Sequence, residues 1–134
     1  MHTKRRFKVD KLVRDKMSSN LFESKITLHE RIMESAEYAT RLKDKILEEA
    51  QEVCEATTPV EIQEELADLL EVIHALGAFY DLSYENIEQA RILKKNKAGG
   101  FEGRRYSEFI EYDANDPTLQ YCLDHPDKYP EIIS

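Results

Sequence analysis

Apolar and small residues recur in steps of three and four at Ile32, Ala36, Ala39, Leu42, Ile46, Ala50 and Val53. This stripe has the helical period and predicts one long helix over residues 28–56, with no Gly or Pro inside. Thr27 followed by Glu30 has the spacing of a capping box and marks its start. Thr57, Thr58 and Pro59 break the stripe. A second stripe follows at Ile62, Leu66, Leu69, Leu70, Ile73, Leu76 and Gly77, predicting a helix from Pro59 to about Tyr80. Its start is marked twice. Thr58 and Glu61 form another capping-box pair, and Pro59 falls at the first helical position, where the missing N–H has no partner to lose. So short a connection makes the two helices antiparallel neighbours.

The flanks are less regular. The stretch KVDKLVRDKM (8–17) places Val9, Leu12, Val13 and Met17 at a roughly helical spacing, and Ser18, Ser19 and Asn20 break it. Asp81, Leu82 and Ser83 form the next break, with Ser83 as N-cap and Glu85 in the first turn, where the helix dipole favours an anion. A third helix is predicted over Tyr84–Lys97, carrying Ile87, Ala90, Ile92 and Leu93. It ends in Lys94, Lys95 and Lys97, cations suited to a C-terminus, and Gly99 and Gly100 stop it. Beyond Phe101, RRYSEFIEY alternates loosely and reads as a short strand, which would add a β-hairpin. DANDP is a turn, and LQYCLDHPDKYPEIIS reads as an ordered tail that docks on the body or on a neighbouring subunit. The expected fold is all-α, an antiparallel helical bundle in a single domain over 1–134, with its core at about 8–105 and a tail at 106–134.

Composition supports this. Over 134 residues, 41% are hydrophobic and 34% charged, with four Gly and four Pro, too few turn formers for a β-sandwich. A net charge of −8 repels phosphate backbones and argues against duplex nucleic acid as a direct partner. A phosphorylated small molecule remains admissible if a divalent metal screens the carboxylates. Cys54 and Cys122 make no disulfide framework and read as reduced thiols of a cytoplasmic protein. The basic N-terminus is followed by no apolar run of signal-peptide length, and no run is long enough to span a membrane. Two long helices with apolar sides in so small a chain imply that subunits pack together as a homo-oligomer, dimer or tetramer.

The chemistry concentrates at residues 46–72. Glu48, Glu49 and Glu52 lie on the first long helix, and Glu64, Glu65 and Asp68 on the second. Carboxylates three apart are neighbours on a helix surface and repel. With Ile46, Ala50 and Val53 as the buried stripe, Glu49 sits at its edge, Glu52 further round on the same side, and Glu48 nearly away. On the second helix Glu65 and Asp68 occupy the matching positions and Glu64 points away. Antiparallel packing can bring the two pairs together. The pattern then fits either a solvated acidic face or a site for a hard cation such as Mg2+, Mn2+ or Ca2+. A di-iron bundle would need two Glu-x-x-His pairs, and only Glu71–His74 is present, so His74 reads as an interior histidine.

LEEAQE (47–52) followed by EELAD (64–68) resembles the E-E-x-x-E and E-x-x-D pair of the all-α nucleotide pyrophosphohydrolases, the MazG-like and phosphoribosyl-ATP pyrophosphohydrolase-like proteins. DKLVRDKM (10–17) resembles the K-L-V-R-D-K-I segment that opens one branch of them, and KKNKAGGFEG (94–103) that branch's run into R-G-G-F, with Ala98 where the branch has Arg. The resemblance covers roughly residues 8–105. It implies Mg2+-dependent hydrolysis of a nucleoside triphosphate, or a related compound, between the α and β phosphates, with Mn2+ as a substitute ion. It implies Glu49, Glu52, Glu65 and Asp68 as metal ligands, with Glu48 and Glu49 in the catalytic step. Lys11, Arg14, Lys16, Lys94, Lys95 and Lys97 are the cations available for the remaining phosphate charge. Ala98 keeps open the alternative of a non-catalytic nucleotide-binding or regulatory module.

Overall fold

The computed structural model describes residues 3–133, which are helical or irregular with no strand among them. Five α-helices follow in order: α1 (Met17–Glu23), α2 (Ser35–Glu55), α3 (Pro59–Phe79), α4 (Tyr84–Ala98) and, after a 3-10 turn at Pro117–Leu119, α5 (Gln120–Leu123). Among the described residues no helix is long and apolar enough to cross a membrane. The chain divides into two compact units, the first running to Lys97 and the second starting at Ala98.

The α2–α3 pair is the body of the first unit. It is antiparallel: Tyr38 near the start of α2 meets Phe79 at the end of α3 edge-on, with ring centroids 5.9 Å apart. The link between them is only Ala56–Thr58. Local chemistry sets α3's start. Thr58 Oγ1 accepts the Glu61 N–H at 3.2 Å, and the Glu61 carboxylate accepts the Thr57 N–H at 3.3 Å. The Thr58 half of this cap is the predicted one, and the return bond reaches one residue further back than a capping box, to Thr57. At the far end, Asp81 adopts a left-handed backbone (φ 57°), the Leu82 N–H returns to the Gly77 carbonyl at 2.8 Å, and the Asp81 N–H to Ala78 at 3.1 Å. That pair of bonds is a Schellman closure. Gly77 is buried. A Cβ there would lie 2.8 Å from Ile87 Cδ1 and 3.1 Å from the Leu82 carbonyl oxygen, so its hydrogen lets α4 start against α3. Ser83 Oγ caps α4 by accepting the Asn86 N–H at 3.1 Å, and Asn86 Oδ1 accepts the Ser83 N–H in return.

Three expectations need correction. α2 begins at Ser35, not at residue 28. Thr27 and Glu30 do not cap it. Ile32 is almost fully exposed and has nothing to pack on, while the Arg31 guanidinium donates to both Glu37 oxygens at 2.6 and 2.7 Å and fixes the entry about two turns later. Residues 8–14 are not helical, and Ser18, Ser19 and Asn20 lie inside α1 rather than ending a helix. Lys11 and Arg14 pair with carboxylates on α2 and α3, their segment is irregular with Asp10 in the left-handed region (φ 46°), and the helix starts only beyond Lys16. The alternating stretch at 104–112 is irregular, because a strand needs a partner to bond to and none is present among the described residues.

The packing face is also rotated from the expected one. The buried side chains of the pair are Leu42 and Val72, with Glu49 beside them. Leu66 and Leu70, members of the predicted α3 stripe, are 49% and 47% exposed. The face of α3 that meets α2 thus runs along Glu65, Asp68, Leu69 and Val72, and Leu47, Leu66 and Leu70 stay uncovered.

In the second unit, Asp116 caps the 3-10 turn by accepting the Thr118 N–H at 2.8 Å and its hydroxyl at 2.6 Å. The Tyr121 ring meets those of His125 and Tyr129, with centroids 4.4 and 5.9 Å away. The Cys122 thiol reaches the Tyr112 hydroxyl at 3.8 Å. These contacts order the predicted tail. Both cysteines are free thiols.

Candidate active site

Antiparallel pairing sets the acidic turn of α2 opposite that of α3. Ligand-type oxygens of Glu49, Glu65 and Asp68 lie within 4.8 Å of one another. Glu52 lies near enough to Glu49 and Glu65 to raise both carboxyls. Glu49, Glu65 and Asp68, three of the four carboxylates expected as ligands, therefore converge, and Glu52 lies beside them. Beside them is an open depression of about 270 Å3 lined by Glu52, Glu55, Ala56, Glu61 and Glu65.

Glu49 sits deeper than the helical angles suggested. It is 7% exposed and lies in the buried line of α2 rather than at its edge. Burial pushes its carboxyl up to about 6, helped by the hydrogen bond and charge of Glu52 and by Asp68, and opposed by Lys45. Burial and the same neighbour raise Glu65, with Asp68 and Glu64 adding to it. One oxygen of each, Glu49 Oε2 and Glu65 Oε2, is buried with no hydrogen-bond donor. A buried acceptor without a partner is costly, and several in one cleft with like charges are more so. Hard anionic oxygens in this arrangement are the donor set that suits Mg2+ or Mn2+, so the residues fit a divalent cation.

Three cations sit on the cleft. The Lys11 ammonium donates to Glu48 Oε1 at 2.9 Å, and the Arg14 guanidinium to Asp68 Oδ1 at 2.8 Å. Lys45 reaches Glu48 Oε2 at 3.2 Å and Glu49 Oε1 at 3.7 Å. Lys45 was missed in the sequence, although its spacing of three and four residues before Glu48 and Glu49 places it on their face. Glu48 is not turned away. Partial burial alone would raise it, but Lys11 and Lys45, one on each oxygen, hold it below the usual carboxylate range. Glu64 is exposed, as expected. Lys16 caps α1 and is exposed, and Lys94, Lys95 and Lys97 lie on the exposed end of α4, whereas the ion pairs of the cleft run to Lys11, Arg14 and Lys45. His74 stacks edge-on against Tyr84, with centroids 4.9 Å apart, as an interior ring whose Nε2 is buried without a partner.

An antiparallel helix pair that converges carboxylates from an E-E-x-x-E and an E-x-x-D segment belongs with the all-α pyrophosphohydrolases. The family model described as phosphoribosyl-ATP pyrophosphohydrolase (PRA-PH) matches residues 2–95, more than half of the chain, and the chain belongs to that family. Membership makes it a hydrolase of the pyrophosphohydrolase class with a nucleotide substrate. No curated protein and no solved structure matches it. The matched stretch ends within α4, ahead of the second unit.

Proposed function

We propose that the chain hydrolyses a nucleoside triphosphate, or a related nucleotide, between the α and β phosphates, yielding the monophosphate and pyrophosphate. Glu49, Glu52, Glu65 and Asp68 hold Mg2+, with Mn2+ as a substitute. The observation that carries this is the cleft of converging carboxylates with two buried oxygens lacking donors. When bound, the ion neutralises carboxylates and phosphates, polarises phosphoryl oxygens and lowers the pKa of a bound water.

The chain's own groups do the rest. Glu49 Oε2 and Glu65 Oε2 are buried acceptors with no donor on either. Lys45 keeps Glu49 Oε1 occupied and so fixes which oxygen is offered. Of the two catalytic candidates, Glu48 is held on both oxygens by Lys11 and Lys45, which leaves Glu49 as the freer proton acceptor. Arg14, planar and always charged, suits bidentate contact with phosphate oxygens. Lys11 and Lys16 flank it on the same segment, and Lys94, Lys95 and Lys97 form the second cationic group on offer. The uncovered Leu47, Leu66 and Leu70 favour a homo-oligomer in which a second copy covers the α2–α3 face, and the two free thiols fit a cytoplasmic protein.

The deciding experiment incubates the full chain with Mg2+ and a panel of NTPs, dNTPs and phosphoribosyl-ATP, and measures pyrophosphate. Pyrophosphate together with the matching monophosphate is expected for at least one member. Orthophosphate alone, or no turnover across the panel, refutes the reading, and tight binding without product would favour the non-catalytic module.

A further inference from the structure

The N-terminal segment spans the cleft with two unequal anchors. Lys11 is bound to Glu48 on α2, and Arg14, three residues on, to Asp68 on α3. Glu48 stands outside the group of converging oxygens and is also tied to Lys45 on its own helix. Asp68 stands inside the group. A cation entering the cleft therefore competes with Arg14 and leaves the Lys11 anchor alone. The Arg14–Asp68 pair is made to exchange: their side chains are 63% and 42% exposed, and exposed ion pairs are weak.

We propose that Lys11–Arg14 is a strap that closes the metal-free cleft, with Arg14 holding the metal's place on Asp68 until the metal displaces it toward the substrate. This rests on the reading of the cleft as a divalent-cation site. Glu48 is then a positioning residue: it retains the strap through Lys11 while the Arg14 end opens. Three residues of chain reach about 10 Å when extended, so the released guanidinium stays within range of phosphates brought to the same cleft. The strap gives the protein a cation of its own when metal is absent, and a phosphate ligand when it is present. It also links the two events, since the carboxylate Arg14 leaves is the one the ion takes.

The test is calorimetric titration of Mn2+ into the full, nucleotide-free chain, as wild type, Arg14→Gln and Lys11→Gln. Removing the competing pair should tighten Mn2+ binding by Arg14→Gln about twofold to fivefold, the range set by the strength of an exposed ion pair. Lys11→Gln removes the same unit of charge from the neighbouring anchor, which acts on Glu49 and Glu52 only through its charge, and should tighten Mn2+ binding clearly less than Arg14→Gln does. Inorganic pyrophosphate, titrated into the Mn2+-loaded proteins, should bind more weakly to Arg14→Gln than to wild type. Unchanged or weaker Mn2+ binding by Arg14→Gln overturns the strap, as does an equal gain in both variants, which would be a general charge effect. Failure of the wild type to bind Mn2+ overturns the cation-site reading itself and is distinguishable from either.

Discussion

Replacing Glu49 by Gln should make the metal-free protein more stable at neutral pH. The carboxyl titrates near 6 in the fold, against 4.5 for the unperturbed group. A raised acid is stabilising while protonated. That contribution is complete below pH 4.5 and is lost as pH rises through 6. A tenfold change in proton affinity is worth about 1.4 kcal/mol, so ionising Glu49 costs the fold about 2 kcal/mol at pH values above 7. Gln keeps the shape and cannot ionise, and Lys45 retains Glu48 as its partner. An unfolding entropy of about 2.1 cal/mol/K per residue over 134 residues converts that gain to a rise of about 7 °C in Tm. Thermal melts of both proteins in EDTA should show the full difference at about pH 8, shrinking to none at about pH 4. Added Mn2+ should raise the Tm of the wild type and not that of the variant. A variant that melts at or below the wild type in EDTA at about pH 8 refutes the account of Glu49 as a strained, metal-ready carboxylate.

Two further substitutions test the frame that carries the cleft. Thr58→Ala removes the oxygen that accepts the Glu61 N–H and should cost about 1 kcal/mol in denaturant unfolding, while Thr58→Ser should cost less than half of that. Gly77→Ala places a methyl 2.8 Å from Ile87 Cδ1 and 3.1 Å from the Leu82 carbonyl. The Ile87 methyl can turn aside, but relief from the Leu82 carbonyl would have to come from backbone in the closure of α3, and a loss of about 1–3 kcal/mol is expected by the same measurement.

What was legible in the sequence follows from the range of the interactions involved. The starts of α3 and α4 are written in side chains that bond to backbone three residues away, and Thr58–Glu61 and Ser83 read directly. The start of α2 did not. Thr27–Glu30 has the right spacing, but the choice between helix and extended chain fell to Arg31–Glu37 and to the absence of anything for Ile32 to pack on. The helical spacing of residues 8–17 gave way to ion pairs with residues 37 and 54 positions further along the chain, which no local pattern encodes. In the cleft, the carboxylate identities were legible from spacing and resemblance. The depth of Glu49 was not, because it depends on how α2 and α3 rotate against each other, and that rotation turns Leu66 and Leu70 outward. Lys45 needed only the rule of three and four.

The three-residue link at Ala56–Thr58 also bears on the order in which the molecule assembles. Contacts between α2 and α3 close outward from that link, each residue pair only slightly further apart along the chain than the last, so little loop entropy is lost at any step. The strap's contacts close loops of 37 and 54 residues and gain only exposed ion pairs in return. The hairpin therefore forms first, and a newly folded chain presents its bare carboxylates before Arg14 arrives to cover them. On the proposed reading of the cleft, divalent cation present during folding would meet an open site, whereas cation added afterwards would have to displace Arg14.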